Sequence, residues 1–324
     1  MKNIMFTHND LDGVGCAIVA KLVFDDIDLI FCRNPQDCTS LIQKEYEKNK
    51  FKGYDRIFVT DISFEESLLE DKNILNTFKK KLRMFDHHST ALGLKKFFPE
   101  AVIMESDSEG KLVSGTYLFH NYLVETYKMS PRPFFAEQIR LYDTWDWSKG
   151  VSLMPKYLNL LLYSKGISYF MNTFVERLTR KDINELNMFN QYERDILEFE
   201  TTRNEKEICR NLSNVIKVKT DSCSIGVVNV TTGDYSTLGN RICIEHDVDI
   251  AFIFNVTTGG ISVRSTRDDI DLGQLMKEAG LGGGHAQAAG GNFGELFVND
   301  IVHLVVGKLL GDSVEISSIE MPKK

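Results

Sequence analysis

Four short apolar runs constrain this chain more than any other feature, because three of them lead into a stretch with helical periodicity and three of them stop at acidic residues. Residues 3–7 (NIMFT) end in HNDLDG and lead into VGCAIVAKLVF, and residues 28–33 (DLIFCR) lead into TSLIQKEYEKNK. YDRIFVTDIS ends its apolar run at Asp61, and KLRMFDHHS ends at Asp86. Ser63 is placed to cap the helix expected over FEESLLEDKNILNTFKKK. Strands alternating with helices imply right-handed crossovers, so the fold class is α/β, a mostly parallel sheet with helices on both faces. In such sheets a ligand sits beyond the carboxyl ends of the strands. His8, Asp10, Asp12, Asp61, Asp86, His87 and His88 all fall there.

Residues 113–127 and 134–147 read as two more helices, the second delivering Asp143 and Asp146 near its end. From 151 to 212 the pattern is helical, and the charged stretch ERLTRKDINELNMFNQYERDILEFETTRNEKEICRN has no proline or glycine, as a connector helix requires. Beyond 213 the composition changes to short β-branched runs, VIKVK, SIGVVNV, DIAFIFNV and ISVRST. These are followed by the helix LGQLMKEAG, the loop LGGGHAQAAGG and a closing helix VNDIVHLVVGKLL. The expected organisation is a catalytic domain over 1–150, a helical connector over 151–212 and a smaller α/β domain over 213–324, two cores suiting a chain of 324 residues.

No run reaches the roughly eighteen apolar residues of a membrane helix, and MKNIMFTHNDLDG lacks a signal core, so a cytoplasmic protein without membrane attachment is expected. Six cysteines without a C-x-x-C pair suggest neither a zinc knuckle nor a disulfide framework. A net charge of −8 argues against a protein that grips long duplex DNA along a basic groove. It leaves room for a short oligonucleotide bound through metal, since two divalent ions would halve that charge. The sequence indicates no oligomeric state.

Asp86, His87 and His88 run together at a strand end, where a carboxylate and imidazole nitrogens reach divalent metals while a neighbouring imidazole serves the substrate. Asp10 and Asp12 project the same way from an extended loop, which suits one ligand for each of two adjacent ions. Asp61 is placed to bridge the pair, His87 to complete one sphere and Asp143 to supply the last carboxylate. Oxygen-rich ligands with one or two imidazoles favour manganese or magnesium over thiolate-bound zinc. Two ions about 3.5 to 4 Å apart activate a water and stabilise both oxygens of a phosphoryl displacement. Each piece has a plainer reading as well: Asp12 as a turn before Gly13, Asp61 as a helix start, Asp143 as a solvated helix residue.

The set HNDLDG at 8–13, TDIS at 60–63, DHH at 86–88, YDTWDW at 142–147 and GGGHAQAAG at 282–290 resembles the DHH phosphoesterase superfamily, in the subgroup with a DHH-associated carboxyl-terminal domain. The match spans nearly the whole chain, and the opening THNDLDGVGCA is most similar to bacterial nanoRNases of the second type. The resemblance implies hydrolysis dependent on two manganese ions, with Mg2+ or Co2+ as substitutes. It implies Asp10, Asp12, Asp61, His87 and Asp143 as ligands and His88 near the scissile phosphate, so that Asp61, Asp86, His87 and His88 form the catalytic group. His8 stands two residues before Asp10, where other branches have a histidine four before, which makes it the less secure ligand. Asp86 either binds metal or orients a neighbouring imidazole.

In the second domain, Gly282, Gly283 and Gly284 allow backbone N–H groups to cradle a phosphate, with His285, Arg264 and Ser265 as further contacts and Arg267 just beyond. A ligand held there and at the metals spans only a few nucleotides. The substrates expected are therefore short single-stranded RNA or DNA oligonucleotides or dinucleotides, released as nucleoside 5′-monophosphates. The alternatives are a cyclic or linear signalling dinucleotide, 3′-phosphoadenosine 5′-phosphate, and a RecJ-type single-strand DNA exonuclease. A nucleotide sensor without turnover is a fourth.

Overall fold

The alternation is realised as β1 (Asn3–His8), α1 (Leu11–Lys21), β2 (Ile27–Cys32), α2 (Pro35–Glu47), β3 (Arg56–Thr60), α3 (Lys72–Lys81), β4 (Leu82–Asp86) and β5 (Val102–Ile103). The structure is a computed structural model that describes residues 2–293 apart from 151, 181 and 221. All five strands are parallel, in the order β2-β1-β3-β4-β5. Thr7 lies opposite Thr60, and Thr60 opposite Phe85. The carboxyl ends of β1, β3 and β4 are therefore level, which brings His8, Asp61 and Asp86 to one edge.

Alternate side chains leave a strand on opposite faces, and the two faces bury separate cores. Met5, Phe58 and Phe85 point into the core shared with α1, α4 (Gly115–Tyr127), α5 (Pro133–Asp143) and α6 (Met154–Arg177). Ile4, Phe6, Ile57, Val59 and Met84 point into the core that includes Ile42 of α2 and Ile74 and Phe78 of α3. Almost all of α1 is buried, because small residues such as Ala17 and Ala20 let it pass beneath α4, α5 and α6.

Two helix boundaries differ from the sequence expectation. Residues 66–70 form a 3-10 turn, and α3 starts only at Lys72, capped by Asp71 rather than Ser63; Asp71 Oδ1 accepts from Asn73 N at 2.7 Å. Burial of Phe64, Leu68 and Leu69 bends that segment onto the sheet before a helix can begin. The expected connector helix is two helices, α6 with a kink at Gly166 and α7 (Gln191–Leu212). α7 starts at a reciprocal cap, in which Asn190 N donates to Glu193 Oε2 at 2.8 Å and Glu193 N to Asn190 Oδ1 at 2.9 Å. Glu193 also pairs with Arg177 at 3.0 Å. Phe170, Phe174, Phe189 and Leu197 pack into the core of α1, and the chain divides into units Met1–Glu200 and Thr201–Lys324.

The second unit contains β6 (Ile216–Lys219), β7 (Ser224–Asn229), α8 (Tyr235–His246), β8 (Ile250–Asn255), β9 (Gly260–Ser265), α9 (Leu272–Glu278), β10 (Gly282–His285) and β11 (Ala288–Asn292). Its sheet runs β10-β11-β9-β8-β7-β6, with β7 and β8 parallel and the other pairs antiparallel. Helix α8, capped by Asp234, covers one face through Leu238 and Ile242, and α9 covers the other through Leu272 and Met276. Helix α8 is not expected from the sequence, because its start is hidden in the turn-like TTGDYS. The expected closing helix at 298–310 lies outside the described residues.

The glycine-rich stretch expected as an open loop is an antiparallel hairpin, with Gly283 opposite Gly290 and His285 opposite Ala288. The glycines admit close strand approach: a Cβ on Gly282 would lie 2.0 Å from Gly290 O. Among the described residues no helix is long and apolar enough to cross a membrane.

Candidate metal centre

The acidic residues expected at the strand ends converge on one site. Asp10 is the N-cap of α1, its Oδ1 accepting from Gly13 N at 3.0 Å, and its Oδ2 lies 2.8 Å from His8 Nδ1. Asp12, in the first turn of α1 and buried, accepts from Gly115 N at 2.5 Å and Thr116 N at 2.8 Å, so the amino end of α4 braces it. His87 Nε2 stands 3.2 Å from Asp61 Oδ1, 3.4 Å from Asp143 Oδ2 and 3.8 Å from Asp12 Oδ2. Asp143 reaches the cluster from the last residue of α5. Asp61 holds φ at 54°, a left-handed conformation that turns its carboxylate inward at the end of β3.

Three donor sets lie close enough to hold cations: His8, Asp10 and Asp61; Asp12, His87 and Asp143; and Asp61, His87 and His88, the atoms of each within 4.8 Å of one another. Asp61 and His87 each belong to two of the sets.

The electrostatics call for positive charge. Burial, then the neighbouring Asp12, Asp10 and Asp143, push the Asp61 carboxyl well above its ordinary range. Asp143 is pushed up to about 7, mainly by burial, with Asp12 and Asp10 adding to it against the pull of His87. Asp10 is held below its ordinary range: burial opposes ionisation, and the contact with His8 outweighs it. Asp61 Oδ2 is buried without a hydrogen-bond partner. A buried carboxylate oxygen with no donor, among carboxylates that repel each other, fits a cation-binding role.

Asp86 is arranged differently. Its Oδ1 accepts from His87 N at 2.8 Å, His88 N at 3.2 Å and His88 Nδ1 at 2.7 Å, and it belongs to none of the three donor sets. It contacts the His88 ring but only the backbone N–H of His87, and its Oδ2, like that of Asp61, is buried without a hydrogen-bond partner among the described residues. Burial opposes protonation of His88, but Asp86 overcomes this and holds its pKa at about 9.

Thr116 and Gly115 were missed in the sequence, although the Ser114 cap of α4 signals a helix start whose N–H groups can hold an anion. A Cβ at Gly115 would lie 2.6 Å from Asp61 Cβ and 3.0 Å from Asp12 Oδ2. Gly115→Ala is therefore expected to cost about 1 to 3 kcal/mol by overpacking and to weaken any divalent cation held by these residues, read as a smaller rise in melting temperature on adding manganese. An unchanged manganese-dependent shift in calorimetry would show that the site does not depend on this contact.

In the second unit, the expected phosphate contacts separate into groups. Ser265 is 2% exposed and donates to Asp249 O at 2.8 Å, so it serves the fold, and its assignment as a ligand contact is corrected. The Arg267 guanidinium is engaged by Asp249 and Asp269. Arg264 donates to Ser236 Oγ at 2.7 Å and to Ser262 Oγ at 2.9 Å. Gly282, Gly283, Gly284 and His285 form the edge strand β10, in which successive N–H groups alternate sides rather than converge in a nest.

A DHHA1 domain model matches residues 221–309. Oligoribonuclease NrnB of Bacillus subtilis is 32% identical over 292 residues, which cover 88% of this chain and 71% of that protein. The chain belongs to the DHH phosphoesterase superfamily, in the subgroup that carries the DHHA1 domain, and its reaction class is phosphodiester hydrolysis. Among solved structures, RecJ of Thermus thermophilus in complex with Mn2+ has a TM-score of 0.58 at 12% identity, covering 92% of this chain and 50% of RecJ. The pGpG-specific phosphodiesterase PggH of Vibrio has a TM-score of 0.53 at 14% identity, covering 97% of this chain and all of PggH, 100%. Both share the fold.

Proposed function

We propose that this protein is a manganese-dependent phosphodiesterase that hydrolyses short oligonucleotides, nanoRNA foremost, to nucleoside 5′-monophosphates. The observation that carries this reading is the convergence of Asp10, Asp12, Asp61, His87 and Asp143 at one sheet edge, around a buried Asp61 oxygen with no donor. The relative named an oligoribonuclease supports the substrate class. His8, Asp10 and Asp61 would hold one ion and Asp12, His87 and Asp143 the other. Bound divalent ions supply Lewis-acid charge to the phosphoryl oxygens and lower the pKa of water. The chain's own part is positional. The amino end of α4 and the Asp10 cap fix two carboxylates on α1, and Asp86 fixes the His88 ring, whose imidazolium donates to an oxygen of the scissile phosphate.

Hydrolysis of a linear signalling dinucleotide is the second reading, because PggH, with which the chain shares its fold, bears a pGpG-specific name. The deciding experiment is turnover of end-labelled RNA and DNA, from dinucleotides to chains an order of magnitude longer, beside pGpG, in manganese and in magnesium. Rates that fall steeply with length on any sequence support nanoRNA hydrolysis, whereas selective turnover of pGpG supports the second reading. Absence of turnover on every substrate would overturn both and leave a nucleotide sensor.

We propose that His285 and Arg264 of the second unit contact a phosphate of the nucleotide. His285→Ala is expected to lower kcat/KM on dinucleotides about tenfold to a hundredfold, the worth of one charge-assisted contact. Arg264 also holds Ser236, so the histidine variant is the cleaner one. A rate within twofold of wild type would remove His285 from the substrate contacts.

A further inference from the structure

Tyr142, Trp145 and Trp147 alternate with Asp143 and Asp146 in the segment that leaves α5. The Tyr142 and Trp147 rings are 11° from parallel with centroids 6.5 Å apart, and Trp145 meets Trp147 edge-on at 5.0 Å. Tyr142 leans on the core of α1, but neither tryptophan belongs to a buried core cluster, and both are half-buried. Trp147 Nε1 is buried and has no hydrogen-bond partner among the described residues, although a buried indole N–H usually finds one. Trp145 holds φ at 64°, a costly conformation for a bulky residue.

Lys156 Nζ of α6 lies over the Trp147 ring, 5.5 Å from its centroid, and Arg140 anchors the turn. Arg140, 3% exposed, donates to Asp146 Oδ2 at 2.8 Å, Thr144 Oγ1 at 3.2 Å and Leu112 O at 3.0 Å. Three rings carried on such a turn, with an unsatisfied indole donor, begin one residue before Asp143. That is the equipment of base stacking next to a phosphate site.

We propose that Tyr142, Trp145 and Trp147 form a nucleobase platform that takes, by stacking, the base of the nucleotide whose phosphate lies at Asp143. Stacking tolerates every base, so the platform selects nucleosides over other phosphodiesters without reading sequence. This inference rests on the phosphodiesterase reading of the acidic cluster.

The chain has two tryptophans, both in this cluster, so intrinsic tryptophan emission reports on the platform alone. Titration of the wild-type protein in magnesium with AMP is expected to quench the emission saturably, whereas ribose 5-phosphate, which has the phosphate and sugar but no base, leaves it unchanged. In turnover, the preference in kcat/KM for a dinucleotide over its abasic analogue is expected to collapse about fivefold to a hundredfold in Trp147→Ala and to return in Trp147→Phe. Equal emission with AMP and ribose 5-phosphate overturns the platform. So does an unchanged preference in Trp147→Ala. If wild-type turnover of dinucleotides persists in either case, the phosphodiesterase reading stands. If no phosphodiester is hydrolysed at all, that reading falls, and the emission titration still decides whether a base is bound here. The same titration decides the matter if Trp147→Ala fails to fold.

Discussion

Asp61→Asn is expected to leave a folded protein that hydrolyses dinucleotides on the order of a thousandfold more slowly than wild type and that, without metal, melts at a higher temperature. The rate falls because a ligand shared by two donor sets loses its charge, and each such electrostatic contact supplies several kcal/mol to the transition state. The stability gain has the opposite origin. In the metal-free protein the Asp61 carboxyl is 1% exposed and crowded by Asp12, Asp10 and Asp143, so ionising it is unfavourable. The folded pKa is raised above the ordinary 3.8. The penalty is therefore absent at acid pH and grows as pH rises past that value, and the gap between variant and wild type should be widest near neutrality and close toward pH 4. Relief of about 1 kcal/mol corresponds to roughly 2 to 4 °C in a unit of this size. Asparagine is the right replacement because it accepts the left-handed backbone that alanine would strain. Calorimetry with and without manganese checks both halves. A variant that keeps a tenth of the wild-type rate in saturating manganese, or that melts lower without metal, contradicts the assignment.

The second large effect concerns Asp86, and its test is a double-mutant cycle. Asp86→Asn is expected to slow turnover about tenfold to a hundredfold, as the loss of an orienting carboxylate does. His88→Ala is expected to cost on the order of a hundredfold to ten-thousandfold, the range for a group that handles charge or protons at the reacting phosphate. The double variant should be no slower than His88→Ala alone, because the hydrogen bond at 2.7 Å acts through that ring. The rise in melting temperature produced by manganese should stay near wild type in Asp86→Asn, since Asp86 stands outside the donor sets. Additive losses, or a collapsed manganese shift, would make Asp86 a metal ligand in its own right.

Much of the site was legible because its chemistry is local. HNDLDG, TDIS and DHH each close an apolar run, and a parallel sheet sends every such end to one edge, so His8, Asp10, Asp12, Asp61, Asp86 and His87 could be grouped before any coordinates. Contacts between residues distant in sequence left no such trace. The bracing of Asp12 by Thr116 joins residues 104 apart, and nothing in either segment announces the other. The glycine run shows the limit from the other side. Its composition permits a phosphate loop and a tight hairpin alike, and only pairing with β11, itself paired with β9, selects the hairpin.

What the sequence by itself determined is the strand-helix alternation and parallel sheet of the first unit and the place of its acidic residues at the strand ends, since periodicity and strand-end chemistry act over a few residues. Tertiary structure alone decided which way each of those residues turns. Asp86 turned toward His88 rather than toward the donor sets because the chain after β4 folds its N–H groups back over that carboxylate. Ser265 sank into the sheet because alternate residues of β9 face the core of α9. Each is a choice between conformations nearly equal in local energy, and packing against elements far away in the chain breaks the tie.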